Sequence, residues 1–358
     1  MLGDLVRNRP LASPLVVAER ERRAADPYPS MTANVKTGRG GLRTHHGFWW
    51  QRRRAELLGL PTDLPTDEER EACAVLLAVR NALHAAAGKA SDRFVVDLRE
   101  PAAAWLGSDV YTVAADLTAS LHVGDRLADR RWPDLHAEQD PMIGLGRRVF
   151  GAIRSRFRAT PEDDGTDDGV LALAVAAAGR PEGAWLTPEE ETTIRQAPDR
   201  PWNESDRTAF IKLLSAGARG RSIFDQLDVL GWVAREFPEW AAVATAPQLA
   251  PFHDHPVGAH LWRTADEMRT LVESDGDTRL LADEVGSTEE LMLSAFLHDI
   301  GKARGGHHSE VGAELTAVFM RRAGFGAATT GVVVDSVRHH LLLSVTAPRR
   351  DSAELGGF

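Results

Sequence analysis

At 358 residues the chain is long enough for two or three domains with hydrophobic cores of their own, and no apolar run approaches the roughly 18 residues of a membrane span. Its 52 acidic against 42 basic side chains give a formal charge of −10, which excludes a mainly electrostatic grip on nucleic acid. A single cysteine, Cys73, excludes an intrachain disulfide and a thiolate cage, so a transition metal would have to be held by histidines and carboxylates.

The first residues, Met1 to Arg7, lack the basic patch and apolar stretch of a secretory signal. The expected location is therefore the cytoplasm, with neither membrane nor nucleic acid as partner. β-Branched alternation is rare, whereas Ala, Leu, Arg and Glu recur at helical spacing, so the chain is expected to be all-α. The chain is read as an N-terminal segment (1–33), a helical domain (34–140), a helical connecting region (141–245) and a histidine-rich domain (246–358).

In chain order, Glu68 to Gly88 places Ala74, Leu77, Ala78, Asn81 and Leu83 on a helical pattern that Gly88 would end in a left-handed conformation. Ser108 to Leu127 reads as a further helix. The acidic, turn-rich stretch Thr160 to Gly169 reads as a solvated loop. Apolar helices are expected around Val170–Ala178, Thr208–Gly217 and Ile223–Val233, and the Pro-rich Ala246 to Pro251 reads as a connector.

Eight of the thirteen histidines fall after residue 250, against about four for a random spread, which places the chemistry in the last third. Ser287 and Glu290 have capping-box spacing, so a helix should start there. On it Leu291, Ala295 and His298 share one face, and Met292, Phe296 and Asp299 the adjacent stripe. His298 and Asp299 thus reach the core-facing side in the last turn, before Gly301 stops the helix. Burying a carboxylate and an imidazole without partners would cost several kcal/mol, which a metal ion relieves. The mixed N/O donors suit Mn, Mg, Fe or Zn.

Further ligands must come from elsewhere, and the candidates are His260, His308, the pair His339 and His340, and Asp351. Spacing does not choose between His339 and His340. A site of this kind acidifies water and places positive charge against phosphate oxygens, the chemistry of phosphoester hydrolysis, with Asp299 at its centre. Lys302 is placed to hold a phosphate oxygen or, alternatively, to oppose a helix C-terminal dipole. Arg304, Arg338, Arg349 and Arg350 are phosphate-binding candidates, for each of which plain surface solvation is the competing reading.

The order His260, His298-Asp299, Asp351 resembles the HD superfamily of metal-dependent phosphohydrolases, and the spelling His298 to Lys302 resembles its HD-GYP branch. Gly301 to Ser309 and Arg338 to Ser344 are more similar to the HD domain of the bifunctional PII uridylyltransferase/uridylyl-removing enzymes. Asn34 to Arg43 resembles that family's glycine-rich signature, and Phe237 to Trp240 with Pro247-Gln248 resembles the run into its HD domain. The resemblance implies a phosphodiesterase that removes UMP, or AMP, from a tyrosine of a nucleotidylated PII-like protein. It also implies that His260, His298, Asp299 and Asp351 hold the core metal, with His308 and one of His339 and His340 holding a second ion.

Departures accompany the match. Gly107-Ser108 and Gly286-Ser287 lack the paired aspartates of the family's transferase site, so no transferase activity is expected, and the ACT domains and the helix after the last ligand are expected to be missing beyond Asp351. His307 stands where the family commonly has Asp, as do Gly258 and Thr44. The competing functional readings are a phosphatase or phosphodiesterase acting on a free nucleotide or other small phosphoester, and a degenerate regulatory or scaffold protein.

Overall fold

The computed structural model describes residues 12–25, 28–132, 169–180, 184–250, 252–274, 280, 282, 284 and 287–346. The protein is all-α. Among the described residues the extended backbone is limited to one isolated antiparallel bridge between Asn34 and Arg93, and no helix is long and apolar enough to cross a membrane.

The first half contains α1 (Ala12–Ala25), α2 (Leu42–Leu57), α3 (Asp67–Ala87), α4 (Val96–Trp105) and α5 (Val110–Arg131). Helix α3 forms where the sequence places it. Thr66 accepts from the Glu69 amide, Asp67 to Glu69 put negative charge at the positive helix end, and Gly88 closes the helix at φ 62°. Its buried face is Leu76, Val79 and Leu83, which meet Phe94, Ala102 of α4 and Leu117 of α5 in a first core, whereas Ala74, Leu77, Ala78 and Asn81 of the expected pattern are exposed. Helix α5 is capped by Asp109, one residue after the expected Ser108.

The second half contains α6 (Val170–Ala178), α7 (Pro188–Gln196), α8 (Glu204–Leu214), α9 (Gly217–Val229), α10 (Trp232–Glu236), a 3₁₀ turn (Pro238–Ala242), α11 (Val257–Glu273), α12 (Thr288–Leu297), α13 (His308–Arg322), α14 (Ala327–His339) and α15 (Leu342–Thr346). The single helix expected over Ile223–Val233 is two, α9 and α10, because Gly231 adopts φ 78° and turns the chain between them. The acidic loop read at 160–168 lies outside the described residues.

One core runs from Leu171 on α6 to Val337 on α14. At its centre Phe296 of α12 stacks on Trp240 at 5.4 Å and meets Trp262 of α11 edge-on at 5.2 Å. Each such ring contributes roughly 1.5–3 kcal/mol on burial. Together they fix α11 and α12 beneath His260 and His298.

The halves are tied by buried polar contacts rather than by apolar area alone. Asp125 on α5, paired within its own half with Arg23 at 2.7 Å and Arg39 at 2.6 Å, lies 3.7 Å from Arg221 of α9, and Ser222 of α9 donates to Asp129 at 2.7 Å. Tyr28 donates to Asp266 on α11 at 3.0 Å, and the His255 ring donates through Nδ1 to the Pro29 carbonyl at 2.7 Å. Thr44, unusual by its family pattern, is fully buried and donates to Glu19 of α1 at 2.8 Å.

Candidate metal centre

Four segments of backbone deliver the site. His260 lies in the first turn of α11, which the chain enters through Pro256. That entry is tight. The Gly258 amide donates to Val243 at 2.8 Å, and a Cβ at Gly258 would lie 2.4 Å from the Ala244 carbonyl oxygen. Glycine at this unusual position is therefore what the local packing accommodates.

Helix α12 starts with the expected capping box of Ser287 and Glu290. It ends at Leu297, three residues sooner than a stop at Gly301 implied, with His298 as its C-cap and Asp299 in the following turn. Gly301 has a different part from the helix stop read in the sequence. A Cβ there would meet the His308 carbonyl at 2.1 Å and the Gly312 amide at 2.4 Å, so its bare backbone lets α13 sit directly against the His298-Asp299 turn. Reversal of the chain follows at Ala303, which holds φ 63° without being glycine, and at Gly305 and Gly306.

Asp299 is 3% exposed, and each of its oxygens faces a different pair of imidazoles. Oδ2 lies 3.5 Å from His260 Nε2 and 3.3 Å from His298 Nε2; Oδ1 lies 3.6 Å from His308 Nε2 and 3.5 Å from His340 Nε2. His260 and His298 approach each other at 3.0 Å through Nε2. Donor atoms of His260, His298 and Asp299, and separately of Asp299, His308 and His340, lie within 4.8 Å of one another. These are two three-residue donor sets that share one carboxylate.

The outer hydrogen bonds set the tautomers. His298 Nδ1 lies 2.9 Å from the Ala295 carbonyl and His340 Nδ1 2.7 Å from the Val337 carbonyl. A carbonyl only accepts, so both protons are on Nδ1 and both Nε2 lone pairs point inward, as metal-binding histidines require. Asp299 Oδ1 and His340 Nε2 are buried without a hydrogen-bond partner, a condition that costs about 1–3 kcal/mol per group. A divalent cation satisfies both. The donor set thus fits such an ion.

Charge agrees with this. Burial by itself would push the Asp299 carboxyl up, but the imidazoles of His260, His298 and His340 turned on it hold it well below the usual carboxylate range. At 3.5 Å, with its proton spent on Val337, His340 acts on Asp299 through charge and dipole more than through a hydrogen bond. Burial depresses His308, against the pull of Asp299. His340 is raised, the Asp299 and Val337 interactions outweighing its burial.

Lys302 reaches back to the same carboxylate, with Nζ 2.7 Å from Asp299 Oδ2 and 2.6 Å from Gln248 Oε1. It is held by a side-chain pair rather than placed on a helix end. Gln248 and His253, whose Nε2 is 3.5 Å from Lys302 Nζ, were not among the sequence-read site residues. The signal available was a buried polar residue in the otherwise apolar connector and one further histidine among eight. His339 is exposed and bonds to the Asp335 carbonyl, outside both donor sets. Arg304 donates to the Glu239 carbonyl at 3.1 Å, and Arg338 pairs with Asp335 at 3.0 Å and Glu310 at 3.3 Å. His307 is exposed on the rim of a hollow of about 300 Å³ beside His308. Arg349, Arg350 and Asp351 lie outside the described residues.

Residues 257–356 match the family model described as HD domain, a span that starts on α11 just before His260 and contains both donor sets. This stretch is an HD domain. Residues 16–123, which include the glycine-rich run, match the model described as GlnD PII-uridylyltransferase. The chain is 32% identical over 361 residues to the bifunctional uridylyltransferase/uridylyl-removing enzyme of Streptomyces coelicolor, covering 93% of the chain and 41% of that protein. The enzyme of the same name from Mycobacterium tuberculosis is 32% identical over 356 residues, covering 89% and 40%. That of Pseudoalteromonas translucida is 28% identical over 369 residues, covering 94% and 42%. The chain thus spans about two fifths of the length of the curated relatives it matches. No solved structure matches it.

Proposed function

We propose that the HD domain is a metal-dependent phosphodiesterase that removes a nucleotidyl group, UMP or AMP, from a tyrosine of a PII-like protein. The observation that carries this reading is the sharing of buried Asp299 between two imidazole pairs, one on each oxygen. His260 and His298 with Asp299 would hold one ion, and His308 and His340 with the other Asp299 oxygen a second. Divalent metal bound there supplies positive charge to phosphate oxygens and acidifies water. The relatives' name, uridylyl-removing, supports the substrate class.

Within this scheme Asp299 keeps its negative charge across the working pH range and orients the histidine rings around it. Lys302 is positioned by Gln248 to take a phosphate oxygen. Tyrosinate, with a pKa of about 10, leaves phosphorus more readily than an alkoxide. We assign the HD unit to 246–358, the connecting region to 141–245 and the glycine-signature helical domain to 34–140.

Incubation of the Mn-loaded protein with nucleotidylated PII tests the proposal. Release of UMP or AMP that is lost in His298→Ala supports it. Metal binding without release, together with turnover of a free nucleotide phosphoester, would assign the site to small-molecule hydrolysis instead.

A further inference from the structure

A second cavity lies far along the chain from the HD domain, between α1 and α2. It measures about 850 Å³, and its floor is the loop running from Ser30 to Gly38. Its walls are one face of each helix. On α2, Arg43, His46 and Trp50 recur at the spacing of a single face. Arg93, joined to the floor by the Asn34 bridge, closes one end.

The chemistry of this lining differs from that of the chain as a whole. Arg22, Arg43 and Arg93 oppose one carboxylate, Glu21, in a protein whose net charge is −10. Arg22 is prepositioned: its Nε and Nη2 donate to Oε2 of Glu19 at 3.2 and 2.6 Å, and Glu19 is fully buried and fixed in turn by Thr44. Arg43 and Arg93 are exposed and have no ion-pair partner among the described residues. Unpaired guanidinium forks suit phosphate oxygens, which they bind bidentately.

Beside them Trp50 is 49% exposed and packs edge-on against Trp49, itself 55% exposed, at 4.7 Å. An indole standing in water beside arginines is the pairing that holds an aromatic base and its phosphate together. The floor adds hydroxyls from Ser30 and Thr32. The volume lies within the range of small-ligand sites, about 300–1,000 Å³.

We propose that this cavity is a nucleotide-binding site, with Arg43, Arg93 and Arg22 taking the phosphate and Trp50 stacking on the base. The site is separate from the HD domain and does not depend on hydrolysis there.

Calorimetric titration of the full chain with UMP, ATP and inorganic phosphate tests it. EDTA is included to keep divalent metal out of the HD domain. The expected result is saturable nucleotide binding at one site, weakened about tenfold or more by Arg43→Glu with Arg93→Glu. Trp50→Ala should weaken nucleotide about fivefold or more and leave phosphate binding as it was. Because all three side chains are exposed, the variants should unfold at the wild-type temperature. If the double variant fails to fold, the Trp50→Ala contrast between nucleotide and phosphate decides alone. No saturation at millimolar nucleotide, equal affinity in the charge-reversed protein, or phosphate binding as tight as nucleotide overturns the proposal.

Discussion

Replacing Gly301 with alanine probes the packing that brings the two donor sets together. The added Cβ would stand 2.1 Å from the His308 carbonyl oxygen and 2.4 Å from the Gly312 amide, both backbone atoms of α13. Neither can swing aside as a side-chain tip could, so α13 must retreat by about 1 Å to restore ordinary contact. Overpacking of this kind costs about 1–3 kcal/mol. At about 2 kcal/mol, and at about 2–4 °C per kcal/mol, the melting temperature should fall by about 4–8 °C. The retreat also carries His308 away from Asp299 Oδ1, while metal sites tolerate only about 0.5 Å of misplacement. Gly301→Ala should therefore weaken binding of an ion on the Oδ1 side more than on the Oδ2 side, read by Mn titration beside a thermal melt. Wild-type melting together with wild-type metal affinity would refute this account of Gly301.

Three further outcomes follow from other residues. His340→Ala should lower metal affinity at least tenfold, whereas His339→Ala, exposed and bonded to its own helix, should leave it within about twofold of wild type in the same titration. Ala303→Gly should stabilise the protein by about 0.5–1 kcal/mol, seen as a higher urea midpoint, because φ 63° is strained for alanine. Burial pushes Asp225 up to about 6 from an ordinary 3.8. The folded form then keeps a proton that the unfolded form has lost, so this group's contribution is full below pH 3.8 and is lost as pH rises through 6. Its size is at most about 3 kcal/mol. Buried His122, depressed to about 3, works in the opposite direction, its contribution being present above pH 6.5 and lost as pH falls. The difference between wild type and Asp225→Asn therefore isolates the effect: the variant should gain relative stability between pH 4 and pH 7 in urea titrations, and a constant difference would contradict it.

Much of the fold was legible where local signals agree. Helix α3 has its expected span and closing Gly88, although of the residues read on its pattern only Leu83 is buried, and α12 has its expected capping box. The break between α9 and α10 was harder, since an apolar pattern continues across Gly231 and only the backbone turn there ends it. In the site, the order of histidines around His298-Asp299 pointed to the residues that gather. The choice between His339 and His340 needed the end of α14: adjacent residues diverge by about 100° around a helix, and His340 is the one turned in. Gly258, Gly301 and Gln248 depend on contacts between segments that do not adjoin in sequence, to Ala244, α13 and Lys302. No periodicity records such contacts.

The central claim is that Asp299 shares its two oxygens between metal-binding imidazole pairs. Metal analysis of the purified protein after Mn loading and desalting, beside Asp299→Ala, tests it most directly. Up to two ions per chain in wild type, and their loss in the folded variant, are the predicted result. A wild type without stoichiometric metal, or a variant that retains it, would contradict the claim.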